Sequence, residues 1–309
     1  MTTPFPSDVD RLAAAGATGD VAALMQLAVL RMTGRATARD LPEARRLLRE
    51  AVTIGHVDGA LMEIALTANG SGGPADWRAA LALLEVAATA DPVAAAQRAL
   101  LAAMKLRKDG APETAPVGAA LSQSPTISLF RGFLTPAECQ HVASAASAVM
   151  EPSLVADPAT GRAIANPVRR CDNAVIGPTR EDLVVRAINL RIAAASGTAV
   201  EQGESLTVLR YGPGQEFRPH HDGLPGVANQ RIKTMLIYLN QGFAGGETRF
   251  MANGLTVTPR GGDAILFDNV DASGRIDPRS QHAGLPVTRG VKWLATRWIR
   301  AAPLDPWAA

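Results

Sequence analysis

At 309 residues and 47% hydrophobic, the chain is long enough for two domains and apolar enough to build real cores. Its formal net charge of +2 argues against a general nucleic-acid or membrane-surface partner, and a sequence pI of about 8.7 reflects only a few excess bases. The two cysteines, Cys139 and Cys171, read as reduced, partly buried thiols, too few and too far apart for a disulfide framework or a cysteine zinc site.

The first ten residues lack a basic region followed by an apolar core, so no secretory signal is expected. The apolar run Val21–Leu30 is interrupted by Gln26 and followed by Arg31, too short and polar to cross a bilayer. A cytoplasmic protein is the expectation. From residue 8 to about 104 the chain is rich in Ala and Leu, with apolar residues recurring every three or four positions, as amphipathic helices require. This stretch repeats itself. Ala23-Leu-Met-Gln-Leu-Ala28 returns as Ala60-Leu-Met-Glu-Ile-Ala65. Gly34 matches Gly70, Asp40 matches Asp76, Ala44 matches Ala80, and Leu47-Leu48 match Leu83-Leu84. A third, degenerate copy starting at Val93 supplies one helix. Each unit reads as helix, Gly-containing loop, helix, and must stack on its neighbour to bury its apolar face. The pattern resembles Sel1-like repeats, relatives of the tetratricopeptide class; an Ala-rich helical bundle is the plainer alternative.

Glycines, prolines and serines between Lys105 and Thr126 mark a linker. The boundaries expected are a repeat domain over 1–108, a linker over 109–125 and a second domain over 126–303. The second domain opens with a short strand leading into a helix: Thr135 is the N-cap, Pro136 the first helical residue and Glu138 the acid of a capping box. A second helix is predicted over Arg180–Ala195. Glu151–Arg170, with Pro152, Pro158, Gly161 and Pro167, reads as a mobile substrate-facing loop; Arg169 and Arg170 in it either reach the site or form a solvated basic pair. Strand-like runs follow at Leu206–Tyr211, Thr234–Asn240, Gly254–Pro259, Ala264–Asp268 and Lys292–Ile299, punctuated by Gly245-Gly246 and Gly261-Gly262. Many short strands with Gly-rich turns suggest a sandwich or jelly roll. The fold class expected is therefore multidomain α plus β, an N-terminal helical repeat segment followed by a double-stranded β-helix (jelly roll) with flanking helices.

The chemistry concentrates between Tyr211 and Asp222. His220 and Asp222 are two apart, so on a strand both side chains face one way and His221 faces the other. Two histidines and one carboxylate can hold a divalent iron on one face and leave the other open. The third ligand, His282, is expected from a distant strand across a barrel interior. Alone, a His-x-Asp is as well explained by ordinary core or surface placement.

The surroundings resemble the prolyl 4-hydroxylase branch of the iron(II)/2-oxoglutarate dioxygenases, over about residues 126–301. Tyr211, Gly214-Gln215, Phe217, His220 and Asp222 form the first block, and Leu236-Ile-Tyr-Leu-Asn240 the second. Gly245-Gly246-Glu247-Thr248-Arg249-Phe250 follows, and then His282, Pro286-Val287, Gly290, Lys292 and Trp293, with Trp298 after them. The resemblance implies iron(II) on His220, Asp222 and His282, and 2-oxoglutarate with its far carboxylate on Lys292. A buried lysine with no anion is costly, so a ligand explains Lys292 better than packing does. Thr296, four residues on, shares its strand face. Thr296 and Tyr238 are placed to hydrogen-bond the same region, with Tyr211 a further candidate; each tyrosine also reads as an ordinary core residue. Trp298 reads as pocket wall or core.

The activity implied is hydroxylation of an unactivated carbon, with succinate and CO2 as coproducts. The substrate implied is a prolyl residue of a peptide or protein, with O2 as cosubstrate and ascorbate as a helper that keeps iron reduced. No protein general base is needed for the C–H step, and no nucleic-acid or membrane partner is implied. The helical repeats favour a protein substrate or adaptor. Alternatives are a hydroxylase of a free amino acid or other small molecule, a non-catalytic repeat scaffold with a silent metal domain, and a cupin-like protein holding zinc or nickel.

Overall fold

The computed structural model describes residues 6–156, 162–258 and 260–307. Pro158 and Gly161 of the expected substrate-facing loop, Pro259 at the end of one expected strand, and the first five residues lie outside the described residues. The chain divides into two compact units: the residues up to Glu113 with Gly177–Ile188, and Thr114–Ile176 with the residues from Asn189 onward. Among the described residues no helix is long and apolar enough to cross a membrane.

The first unit contains six consecutive helices: α1 (Pro6–Ala17), α2 (Val21–Thr33), α3 (Leu41–Thr53), α4 (Val57–Asn69), α5 (Trp77–Ala87) and α6 (Pro92–Ala103). The positions that repeat in sequence repeat in role. Gly34 and Gly70 end α2 and α4 in the left-handed conformation, with φ of 70° and 80°, and donate to the Leu30 and Leu66 carbonyls. Asp40 and Asp76 cap α3 and α5, each accepting at 2.9 Å from the backbone N–H three residues on. Asp91 does the same for α6 at 2.7 Å. Leu24 and Ala28 of α2, Ala44 and Leu48 of α3, and Ile64 and Ala65 of α4 fill the interior. Glu63 is buried among them and is held by Arg45 at 2.8 Å and Arg49 at 3.0 Å, which offsets the desolvation of its charge.

The second unit is mixed α and β, with antiparallel sheets. Its strands are β1 (Ala119–Gln123), β2 (Thr126–Phe130), β3 (Glu151–Pro152), β4 (Leu154–Ala156), β5 (Ala163–Ala165), β6 (Asp172–Ile176), β7 (Leu206–Tyr211) and β8 (Phe217–His220). They continue as β9 (Arg231–Tyr238), β10 (Ala244–Gly245), β11 (Thr248–Phe250), β12 (Thr256–Val257), β13 (Ala264–Asp268), β14 (His282–Gly284), β15 (Val287–Arg289) and β16 (Lys292–Arg300). An eight-stranded sheet runs β1-β2-β13-β9-β16-β7-β6-β3, and a four-stranded sheet runs β12-β11-β14-β8. One core joins them: Leu209, Tyr211, Leu236, Tyr238, Ile265 and Phe267 from the large sheet meet Phe250 and Val257 from the small one. The segment expected to be a linker contributes β1, because Ala119–Gln123 finds hydrogen-bond partners on β2 that its composition does not announce.

Local rules place the helices well. Thr135 and Glu138 form the reciprocal capping box at the start of α7 (Pro136–Ser147). The helix expected from Arg180 begins three residues later, as α8 (Leu183–Ser196), because Asp182 caps it through the Val185 N–H at 2.9 Å.

Candidate active site

Strand β8 is the edge of the small sheet and β14 is its neighbour, with His282 directly opposite His220 in the register. His282, the expected third ligand, therefore sits on the adjacent strand, not across a barrel interior. Sixty-odd residues separate the two in sequence because β9 to β13 are laid down between them, and sequence distance does not report spatial distance in a sheet. Asp222 lies just beyond the end of β8, so strand alternation does not place it; the turn after His220 does. The ligand atoms of His220, Asp222 and His282 all lie within 4.8 Å of one another.

The protonation pattern follows from the partners. His220 Nδ1 sits 2.8 Å from the Arg218 carbonyl, and His282 Nδ1 sits 3.0 Å from the Ser280 carbonyl. A carbonyl can only accept, so each Nδ1 carries the proton and each Nε2 turns a lone pair inward. Those Nε2 atoms lie 3.7 Å from Asp222 Oδ1 and Oδ2 respectively. Such spacing is too long for hydrogen bonds and suits a shared ion. His221 is half-buried and faces the Pro278 carbonyl at 3.3 Å, outside the cluster. Burial, with help from His282, pushes the His220 imidazole down to about 4, so it is neutral and ready to ligate. Burial pushes the Asp222 carboxyl up, but the neighbouring His282 and His220 and a hydrogen bond from Thr234 outweigh it and hold it below the usual range. The Phe217 ring stacks on His220 with centroids 3.4 Å apart and planes 10° from parallel, fixing the imidazole plane.

The same cavity continues to Lys292. It is lined by His220, Asp222, His282, Tyr211, Phe217, Thr248, Lys292, Thr296, Trp298 and several leucines. Lys292 is 2% exposed and donates to the Gly246 carbonyl at 2.6 Å. No carboxylate lies within ion-pair range of it among the described residues. Burial lowers its pKa to about 8, partly opposed by Glu247. Its ammonium lies 5.1 Å from the Tyr238 ring and 5.4 Å from the Tyr211 ring, whose faces favour a cation. Register explains this: Lys292 on β16 pairs with Tyr211 on β7. Tyr238 spends its hydroxyl on Thr248, and its tight burial raises its pKa well above normal. Tyr211 is likewise buried, beside the Cys171 thiol, with its pKa raised. Thr296 Oγ1 is buried with no hydrogen-bond partner among the described residues.

These observations test whether the implied groups fit. Three inward donors of mixed nitrogen and oxygen type suit a divalent first-row metal. A buried cation without a counter-ion and an orphaned hydroxyl on the same strand suit the far carboxylate of a dicarboxylic ligand. The motif Gly245-Gly246-Glu247-Thr248 offers no ligand visible in sequence. The structure gives it work: Gly246 accepts from Lys292, and Thr248 engages Tyr238 and lines the cavity. Thr234 and Asn269, which stand behind Asp222, carry no sequence signal beyond being polar next to apolar strand residues.

Residues 206–300 match the model of the 2OG-Fe(II) oxygenase superfamily. Prolyl 4-hydroxylase 1 of Arabidopsis thaliana is 36% identical over 199 residues, covering 58% of this chain and 70% of the relative. Among solved structures, the viral collagen prolyl hydroxylase of Paramecium Bursaria Chlorella virus-1, solved with 2OG, is 27% identical with a TM-score of 0.46. That match covers 57% of this chain and 96% of the viral one.

Proposed function

This chain belongs to the prolyl 4-hydroxylase family of iron(II)- and 2-oxoglutarate-dependent oxygenases, and on that premise we propose that it hydroxylates a prolyl residue of a peptide or protein. It is a 2-oxoglutarate-dependent dioxygenase using Fe(2+). The observation that carries the site assignment is the single cavity that has the inward His220, Asp222 and His282 on one wall and the unpaired Lys292 on another.

His220, Asp222 and His282 would hold the iron, and Lys292 with Thr296 would hold the far carboxylate of 2-oxoglutarate. When bound, iron and 2-oxoglutarate would supply the redox chemistry, coupling oxidative decarboxylation of 2-oxoglutarate by dioxygen, with succinate and CO2 as products, to hydroxylation of a substrate C–H bond. The chain does the positioning. The Nδ1 hydrogen bonds and the Phe217 stack fix the imidazoles, and the Tyr211 and Tyr238 faces steady the Lys292 ammonium. The leucine walls keep bulk water away from the reacting atoms. No group in the lining is needed as a general base.

The lining also bears on the substrate. Its charged side chains are Asp222 and Lys292, both engaged by the metal and the cosubstrate. A free amino acid would bring an ammonium and a carboxylate with no partners left, which is costly on burial. A peptide-bound proline is neutral and asks for no such partner. Ascorbate would serve as the external reductant. The two packed sheets support a double-stranded β-helix for a catalytic domain over 126–303. The equivalent caps at Gly34 and Gly70, and at Asp40 and Asp76, support Sel1-like repeats over 1–108, offering an extended surface for a protein substrate or adaptor. The test is mass spectrometry of proline-containing peptides incubated with enzyme, iron(II), 2-oxoglutarate and ascorbate. A +16 shift on proline with equimolar succinate supports the reading; turnover of free proline but not of any peptide contradicts it.

A further inference from the structure

Behind the ligand Asp222 stands a short relay that crosses between the two sheets. Thr234 Oγ1 lies 2.7 Å from Asp222 Oδ2, and Asn269 Nδ2 lies 2.8 Å from the same Thr234 oxygen. Both Thr234 and Asn269 are wholly buried, at 0% exposure. The proton direction is forced. The amide nitrogen of Asn269 can only donate, so the Thr234 oxygen accepts from it. The ionised carboxylate can only accept, so the Thr234 hydroxyl must give its one proton to Asp222. Reversing the Asn269 amide would leave Thr234 with two acceptors and one proton.

The relay is anchored to rigid backbone. Thr234 lies on β9 near the middle of the eight-stranded sheet, between Phe267 of β13 and Trp298 of β16. Asn269 is held through its own N–H to the Ile232 carbonyl at 2.8 Å, and its carbonyl accepts from the Asp277 N–H at 2.9 Å. Asp222, by contrast, sits on the turn beyond β8, where strand geometry does not fix it.

We infer that Thr234 and Asn269 are positioning residues for the metal site: they hold Asp222 Oδ2 and so fix the orientation in which the carboxylate meets the ion. This rests on the metal-site reading above. It assigns to the large sheet the job of setting the carboxylate, while the small sheet sets the two histidines. Groups that orient a metal ligand in this way typically change metal affinity by about 10- to 100-fold when removed.

The test uses the full-length apoprotein and Co(II) as probe, read by chelator competition and by the visible spectrum of bound Co(II). Thr234→Val keeps shape and deletes the hydroxyl; it should weaken Co(II) binding by about 10- to 100-fold and alter the spectrum. Thr234→Ser keeps the hydroxyl and should stay within about threefold of wild type with an unchanged spectrum. Asn269→Leu frees the hydroxyl to turn away and should weaken binding at least threefold; it carries the test if the valine variant does not fold. Wild-type affinity and spectrum in a folded Thr234→Val, or in Asn269→Leu when the valine variant is lost, would overturn the relay. Wild-type affinity in Asp222→Ala would instead overturn the metal-site reading on which the relay rests.

Discussion

Replacing Lys292 with methionine removes a buried charge while keeping nearly the same length and shape. The ammonium sits in a fully buried site with a backbone carbonyl and two ring faces as its company, and its pKa falls from 10.5 to about 8. At about 1.4 kcal/mol per pH unit, keeping the charge in the fold costs roughly 3 kcal/mol. The sign follows from proton counting. Between pH 8 and 10.5 the unfolded chain keeps a proton that the folded apoprotein has released, so wild-type stability rises with pH across that window and is flat below it. Lys292→Met removes the penalty and leaves the Gly246 carbonyl unpaired, at about 1 kcal/mol. The variant apoprotein should therefore be more stable than wild type by about 2 kcal/mol at pH 7, and the advantage should vanish near pH 10. Urea unfolding of both proteins at pH 7 and pH 10 measures this. In parallel, 2-oxoglutarate should stabilise wild type and not the variant, whose cosubstrate affinity should fall at least about 100-fold. A variant less stable than wild type at pH 7, or a stability difference that does not change with pH, would refute the picture of Lys292 as an uncompensated cation waiting for an anion.

His220→Ala and Asp222→Ala should each abolish substrate-dependent succinate formation; activity surviving both changes would remove these residues as iron ligands. Thr296→Val replaces an orphaned hydroxyl with a methyl group and should raise apoprotein stability by about 1 kcal/mol while raising the KM for 2-oxoglutarate about fivefold. Unchanged KM would mean that Thr296 is packing alone. Gly246 has φ of +71°, and a Cβ there would meet Lys292 Cδ at 3.0 Å. Gly246→Ala should therefore displace the lysine and raise the KM for 2-oxoglutarate roughly tenfold, with about 1 kcal/mol lost to the left-handed backbone. Steady-state kinetics with 2-oxoglutarate varied would read it.

Much of this site was legible because short-range rules govern it. The capping box at Thr135 and Glu138, the repeated caps of the first unit, and the strands β7, β13 and β16 follow from local patterning. The spacing of His220 and Asp222 selected His220 over His221, although Asp222 owes its place to a turn and not to strand alternation. The position of His282 was not legible. Pairing of β14 with β8 depends on how the intervening chain folds, and nothing at His282 itself encodes its neighbour. Thr234 and Asn269 were hidden for the same reason: their role exists only once two sheets meet over Asp222. Tyr238 was legible as a site residue, but the partner of its hydroxyl, Thr248, comes from a different strand and sheet.

The most direct test of the central claim is an anaerobic titration of the apoprotein with iron(II) and then 2-oxoglutarate, followed by visible absorption. A site built from His220, Asp222, His282 and Lys292 should give a weak charge-transfer band only when both additions are present. The band should disappear in Asp222→Ala and require far more 2-oxoglutarate in Lys292→Met. A band of wild-type strength in Asp222→Ala, or no band in wild type, would contradict the account.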